Sequence, residues 1–162
     1  MEEVEKAYLA GIVDGEGTVT LTKFHKNETP TPNVSVANNN LELLKWIKIR
    51  LGGSIISKRN RKPHHNASYA WSIKQDRAIR LLNEIKQYLI IKKPQADLIT
   101  QRYKLVTHRA GKYTPEMLKN KMCLVDEIRK LNQRYNNASY NTPGPATSFG
   151  GRRNSPRYLD NK

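Results

Sequence analysis

Two carboxylates separated by a single glycine, Asp14-Gly15-Glu16, with Gly17 behind them, close a segment in which Ala7, Gly11 and Gly15 recur at every fourth position. Positions four apart share one face of a helix, and small side chains there let a second helix approach backbone to backbone. The carboxylates then stand at the end of a close helix pair, where Gly15 and Gly17 leave the chain free to turn. In a chain with a formal net charge of +15, Glu16 precedes a strand and faces the side where a polyanion docks. A carboxylate there repels phosphate unless a cation lies between them. A divalent ion removes the conflict and supplies hydrolytic chemistry, because it lowers the pKa of bound water and neutralises charge developing at phosphorus. Asp14 has a second reading, as a cap on a neighbouring backbone group or a solvated side chain.

The surrounding periodicities predict the elements that position these residues. Residues 4–13 read as a helix with Glu2, Glu3 and Glu5 at its positive end. Residues 18–26 alternate as a strand, Val19 and Leu21 on the apolar side, and residues 33–38 alternate again around Val34 and Val36. Thr29-Pro30-Thr31-Pro32 breaks the run between them and makes the pair a hairpin. Asn39 or Asn40 caps a helix bearing Leu41, Leu44, Ile47 and Leu51, which Gly52-Gly53 ends. Residues 54–62 and 67–74 form a second hairpin around Pro63-His64-His65-Asn66, with Tyr69, Trp71 and Ile73 inward. Asp76 is the expected N-cap of a helix carrying Ile79, Leu82, Ile85 and Leu89. Pro94 suits the first turn of the next helix, and Thr114-Pro115 opens another with Leu118, Met122, Val125, Ile128 and Leu131 at core spacing. The order is αββαββα followed by more helix, an α+β fold in one domain spanning residues 1–135. Residues 136–162, rich in Asn, Ser, Gly and Pro, read as a flexible basic tail whose Arg152, Arg153 and Arg157 can touch phosphates.

Composition narrows the partner. A pI near 10.0 and this much uncompensated charge point to nucleic acid, although ribosomal and membrane-surface proteins share the trait. Cys123 is the only cysteine, so no internal disulfide forms, and its apolar helical setting predicts a buried, inert thiol in a reducing compartment. No apolar run is long enough to span a membrane, and Met1-Glu2-Glu3 is unlike a signal or transit peptide, so the protein is expected not to be secreted. His25, His64, His65 and His108 have no zinc-site spacing, and no phosphate loop or Ser-His-Asp order is present. The outward strand residues are the natural readers of DNA: Thr18, Thr20, Thr22, Phe24 and Lys26, then Thr31, Asn33 and Ser35, then Ser57, Arg59 and Arg61, then Ser68, Ala70 and Ser72. A merely solvated sheet face is also polar. Arg59 and Arg61, however, can contact guanine bidentately, and a twisted β-ribbon fits the major groove.

The segment Leu9-Ala10-Gly11-Ile12-Val13-Asp14-Gly15-Glu16-Gly17 resembles the LAGLIDADG signature of homing endonucleases. Lys92-Lys93-Pro94-Gln95-Ala96-Asp97-Leu98, Pro115-Glu116-Met117 and Leu124-Val125-Asp126-Glu127-Ile128 also resemble the family's single-motif, homodimeric branch in algal organelles. The likeness covers roughly residues 7–132. It implies an antiparallel sheet saddling DNA, with helices on the opposite face and Ala7, Ala10, Gly11 and Asp14 in a paired-helix interface. No second copy of the signature is present in these residues, so if the site needs two such helices, the second must come from another chain. The resemblance also implies that Glu16 and the Gly15 carbonyl bind metal, that Asn38 organises water around it, and that Lys92 lies near the cleaved strand. Two departures stand out: the family often has Asp where Glu16 stands, and a basic residue expected just after Asn38 finds Glu42, with Lys45 one turn on.

The expectation is an intron-encoded homodimer that cleaves double-stranded DNA at a long pseudo-palindromic site and leaves short 3′ overhangs. Hard oxygen ligands favour Mg²⁺, with Mn²⁺ or Ca²⁺ able to substitute in binding. Its expected location is a chloroplast or mitochondrion if organelle-encoded, otherwise a prokaryotic cytoplasm. The rival readings are a maturase that binds intron RNA and a DNA-binding relative that does not cut.

Overall fold

The computed structural model describes residues 1–58, 67–108 and 112–138. The elements run α1 (Glu3–Glu16), β1 (Gly17–Thr22), β2 (Thr31–Asn38), α2 (Leu41–Leu51), β3 (Ser54–Lys58), β4 (Ser68–Lys74), α3 (Gln75–Ile85), α4 (Lys93–Arg102) and α5 (Pro115–Ala138). The α+β order αββαββα is present, with α4 and α5 added. Two helix–hairpin units meet at their inner strands, giving one antiparallel sheet in the order β1-β2-β4-β3. Among the described residues, the helices pack on one face of this sheet and leave the other free. The covered face contributes Val19, Leu21, Val34, Val36, Trp71 and Ile73 to the core, against Leu9 and Val13 of α1, Leu44 and Ile47 of α2, and Ile79 and Leu82 of α3. Among the described residues, no helix is long and apolar enough to cross a membrane.

Sharp joints set the geometry. α1 runs a turn further than its apolar pattern predicts, through Gly15 to Glu16, and β1 starts at the next residue. Gly17 makes that junction possible: a Cβ there would lie 2.6 Å from the Val13 carbonyl oxygen. Asn40 caps α2 by accepting from the Leu43 N–H at 3.1 Å. Gly52 and Gly53 turn the chain into β3 with φ of 70° and 86°, the left-handed region that favours glycine. The Trp71 indole N–H fixes this corner by donating to the Gly52 carbonyl at 2.8 Å.

Several local expectations are corrected. β1 ends at Thr22, so Phe24 and Lys26 lie beyond the strand, in the connection to β2. α3 follows β4 without a loop, which puts Lys74 at the N-cap and Asp76 in the first turn instead of at the cap. Cys123 is exposed, because the buried stripe of α5 is Lys121, Leu124, Val125 and Ile128, while Leu118 is 41% exposed. Lys121 occupies a core position by donating from Nζ to Thr29 Oγ1 at 2.8 Å and Tyr113 Oη at 2.9 Å, which ties the β1–β2 connection to α5. α5 carries helix through Ala138, three residues into the segment assigned to the tail. Arg59, Arg61, the His64-His65 turn and residues 139–162 lie outside the described residues.

The α2–β3 corner yields a stability prediction. A Cβ on Gly53 would meet the Ser72 carbonyl oxygen at 2.5 Å and Trp71 Nε1 at 2.9 Å, at a φ that side chains rarely adopt. Gly53→Ala is expected to cost about 1–3 kcal/mol, read from urea unfolding; a neutral result would mean that the corner is not fixed by glycine.

Candidate nucleic-acid interface and hydrolytic site

Strand register decides which side chains share the open face. Thr18 lies opposite Ser35, Ser35 opposite Ser72, and Ser72 opposite Ser54, so a hydroxyl row crosses all four strands. The next row is Thr20, Asn33 and Lys74, and Thr22 pairs with Thr31 at the strand ends. On the other side lie Ala37, Ala70 and Ile56, then Ser68 and Lys58. Thr18, Thr20, Thr22, Thr31, Asn33, Ser35, Ser68, Ala70 and Ser72 thus share the open face, as the alternation predicts. Ser57 does not. It lies opposite Tyr69, in the parity of Trp71 and Ile73, and the open-face residues of β3 are Ser54, Ile56 and Lys58. The adjacent pair Ile55-Ile56 hid this parity, since either isoleucine could be read as the inward one. Ile56 is 61% exposed, the one large apolar side chain on the open-face rows of the described strands, beside Ala37 and Ala70.

At one end of the sheet, Asp14 organises the acidic corner. Its carboxylate accepts from the backbone N–H groups of Ile90, Ile91 and Lys92 at 2.7, 3.2 and 2.9 Å. The Lys92 ammonium donates in turn to the Asp14 carbonyl at 2.5 Å. The capping reading of Asp14 is therefore the one the structure realises, and its carboxylate is used within its own chain. This clamp ties the start of α4 to the end of α1 and sets Lys92 in the field of Glu16. Burial holds the Lys92 amine below the usual lysine range, opposed by the charges of Asp14 and Glu16, which favour the protonated form. Glu16 itself is exposed, as the last residue of α1.

Asn38 lies at the same end of the sheet, two residues beyond the Gly17–Val36 pair, and its Oδ1 accepts from the Asn40 N–H at 2.8 Å. It thus stabilises the turn into α2, and its register opposite Tyr69 puts it in the helix-side parity of Val34 and Val36, off the open face. Lys45 forms a 2.8 Å ion pair with Glu42 on α2. Beside the corner is a cleft of about 280 Å³ lined by Gly15, Gly17, Thr18, Ile91, Lys92, Gln95 and Asn132. Gln95 is fully buried and donates to Asn132 Oδ1 at 3.1 Å, while Asn132 donates to the Val19 carbonyl at 3.2 Å. This α4–α5–β1 relay was not anticipated, because a buried amide pair leaves no periodic signal. Among the described residues, no group of three His, Cys, Asp or Glu side chains is placed to hold a metal ion.

The outer face of α1 is open. Ala7, Gly11 and Gly15 are exposed beside Val4 and Tyr8. Among the described residues, a Cβ at Gly11 or Gly15 would meet nothing within 4 Å, so their packing does not require either glycine. Ala10 is corrected: it is fully buried beside Leu9 and Val13 and faces the chain's own core. Tyr8 meets Trp46 edge-on at 5.4 Å, and Arg50 covers the same indole at 4.3 Å while pairing with Glu5 at 2.6 Å.

The chain is similar to solved structures of homing endonucleases. One structure of I-CvuI with DNA in the presence of Mg superposes with a TM-score of 0.65 at 22% identity, over 80% of this chain and 82% of that one. Another, of I-CvuI with its target in the presence of Ca, gives 0.61 at 21% identity over 79% and 82%. I-SmaMI bound to an uncleaved DNA target gives 0.50 at 19% identity over 90% of this chain and 53% of that one. Neither a family model nor a curated protein sequence matches the chain. The fold is that of the LAGLIDADG homing endonucleases.

The Asp14 clamp is testable by itself. Asp14→Ala removes a charged acceptor from three backbone donors and is expected to cost about 2–3 kcal/mol, with faster amide exchange at residues 90–92. Unchanged stability and unchanged protection there would show that the clamp does not hold α4 to α1.

Proposed function

We propose that the chain is a homodimeric, divalent-metal-dependent DNA endonuclease that cuts a long pseudo-palindromic duplex site and leaves short 3′ overhangs. The observation that carries this reading is an exposed carboxylate, Glu16, set beside Lys92 at the end of an open sheet face of hydroxyl and basic side chains. A carboxylate in that place opposes phosphate binding and is explained by a bridging cation. The donors suit one: the Glu16 oxygens are free to solvent, and the Gly15 carbonyl lies in the last turn, where helix carbonyls lack a partner within the helix. Both are hard oxygen ligands, which fits Mg²⁺, with Mn²⁺ or Ca²⁺ as substitutes in binding. Such an ion supplies an acidified water and charge neutralisation at phosphorus. Lys92 adds a positive charge close to the scissile phosphate, its position fixed by Asp14. Asn38 holds water at the edge of the same corner.

The dimer follows from the α1 surface. An exposed stripe of Ala7, Gly11 and Gly15, flanked by Val4 and Tyr8, has the form of a close helix contact with no partner among the described residues. A single copy of the fold spans about half of the I-SmaMI chain it resembles, and in this protein a second chain supplies the other copy. Two Glu16 residues then meet across a two-fold axis, one for each DNA strand. The proposed setting is intron homing, in an organelle or in a prokaryotic cytoplasm according to where the gene resides. Intron-RNA binding is the alternative activity that the same basic surface suits.

Glu16→Gln is expected to cut cleavage in Mg²⁺ by on the order of 100-fold or more, since even outer residues around metals cost about 10–100-fold, while duplex binding persists or tightens. Cleavage near the wild-type rate would show that Glu16 is not the ligand, and intron-RNA binding without any DNA cutting would favour the maturase reading. Gly11→Leu is expected to wedge the α1 helices apart, shifting sedimentation from dimer toward monomer and removing double-strand cutting. A stable wild-type monomer that cuts both strands would contradict the dimer.

A further inference from the structure

Asn33 is polar and lies on the open face, in the row between Thr20 and Lys74, yet it is only 9% exposed. Its Oδ1 is buried and, among the described residues, accepts no hydrogen bond. The cover comes from two neighbours. Lys74 stands directly opposite Asn33 on β4, and its Nζ lies 3.4 Å from the centroid of the Phe24 ring. Phe24 belongs to the chain leaving β1, and β1 and β4 flank β2 on opposite sides, about 10 Å apart at the usual strand spacing. A contact between them must therefore cross β2, at the end where Thr31 and Asn33 lie.

This arrangement stores an unsatisfied acceptor beneath a cation that has a better partner available. A buried carbonyl without a donor carries its full desolvation cost, and a phosphate attracts an exposed lysine more strongly than an aromatic face does. We propose that Asn33 is a specificity-determining residue that reads adenine, and that duplex DNA uncovers it: Lys74 leaves Phe24 for a phosphate, and the Asn33 carboxamide pairs with the N6 amine and N7 of an adenine in the major groove. The inference rests on the DNA-binding reading above, which already counts Asn33 among the open-face residues, and adds the base and the gate. Discrimination follows from the burial, because a base with no amine at that position leaves Oδ1 without a donor and with little access to water.

The test is a selection of bound duplexes from a randomised target library, using the full-length protein with Ca²⁺. Wild type is expected to select adenine at one position of each half-site. Asn33→Ala should lose that preference by about tenfold or more while preferences elsewhere persist. Asn33→Asp, which keeps the shape and an acceptor but no donor, should move the preference toward cytosine. Lys74→Met should keep the adenine preference but lower affinity evenly across sequences and make its salt dependence shallower. A specific wild-type site with every preference unchanged in Asn33→Ala or in Asn33→Asp, whichever variant folds, overturns the assignment and leaves the DNA-binding reading intact. Failure of wild type to select any duplex overturns both.

Discussion

The acidic corner depends on Asp14. Its carboxylate takes up three backbone N–H groups at Ile90, Ile91 and Lys92, groups that would otherwise be unpaired at the entry to α4. One set of hydrogen bonds thus joins residues 76 to 78 positions apart in the chain and fixes the end of α1 to the start of α4. Everything proposed for the corner follows from that join: Lys92 is drawn in until its ammonium meets the Asp14 carbonyl, and Glu16, two residues on and past the clamp, is left pointing to solvent. Two neighbouring acids of similar chemistry therefore acquire different tasks, one structural and one free for a cation.

α1 has a different environment on each side. Leu9, Ala10 and Val13 are buried in the core, Ala7, Gly11 and Gly15 are exposed in a row, and its last turn meets both α4 and β1. The abrupt passage into β1 at Gly17 leaves no slack between helix and sheet, so the position of Glu16 relative to the open face is set by backbone. On the proposed reading, the same helix supplies the dimer contact, the metal ligand and the first reading strand. Half-site spacing on DNA and metal position are then coupled through one rigid element.

Much of this was legible in the residues, and the failures have physical reasons. Alternation in β1, β2 and β4 assigned their open faces, because each places its large apolar residues at every second position, with only Ala37 and Ala70 between them. β3 lacked that signal: Ile55 and Ile56 are adjacent, the strand is at the sheet edge, and only its register with Trp71 and Ala70 shows that Ser57 faces the helix side. Ala10 lies in the core and not in the helix contact expected of it, because a small residue suits both settings equally well. The fourfold spacing of Ala7, Gly11 and Gly15 distinguishes the outer face, and Ala10 is not on it. Lys121 and Gln95 are buried polar groups satisfied, wholly or in part, by partners remote in sequence, and no local pattern announces such pairs. The Asp14 cap was one of two open readings, decided only once residues 90–92 were seen to fold back onto it.

The proposed mechanism needs one Glu16 per DNA strand, contributed by two copies of the chain. The most direct measurement is the product formed by mixed dimers of wild type and Glu16→Gln, isolated with two different affinity tags and given supercoiled plasmid carrying the selected site in Mg²⁺. Nicked circles with little linear DNA are expected, since one active site cuts its strand and the other cannot. Linear product at the wild-type rate from the mixed dimer would contradict the mechanism.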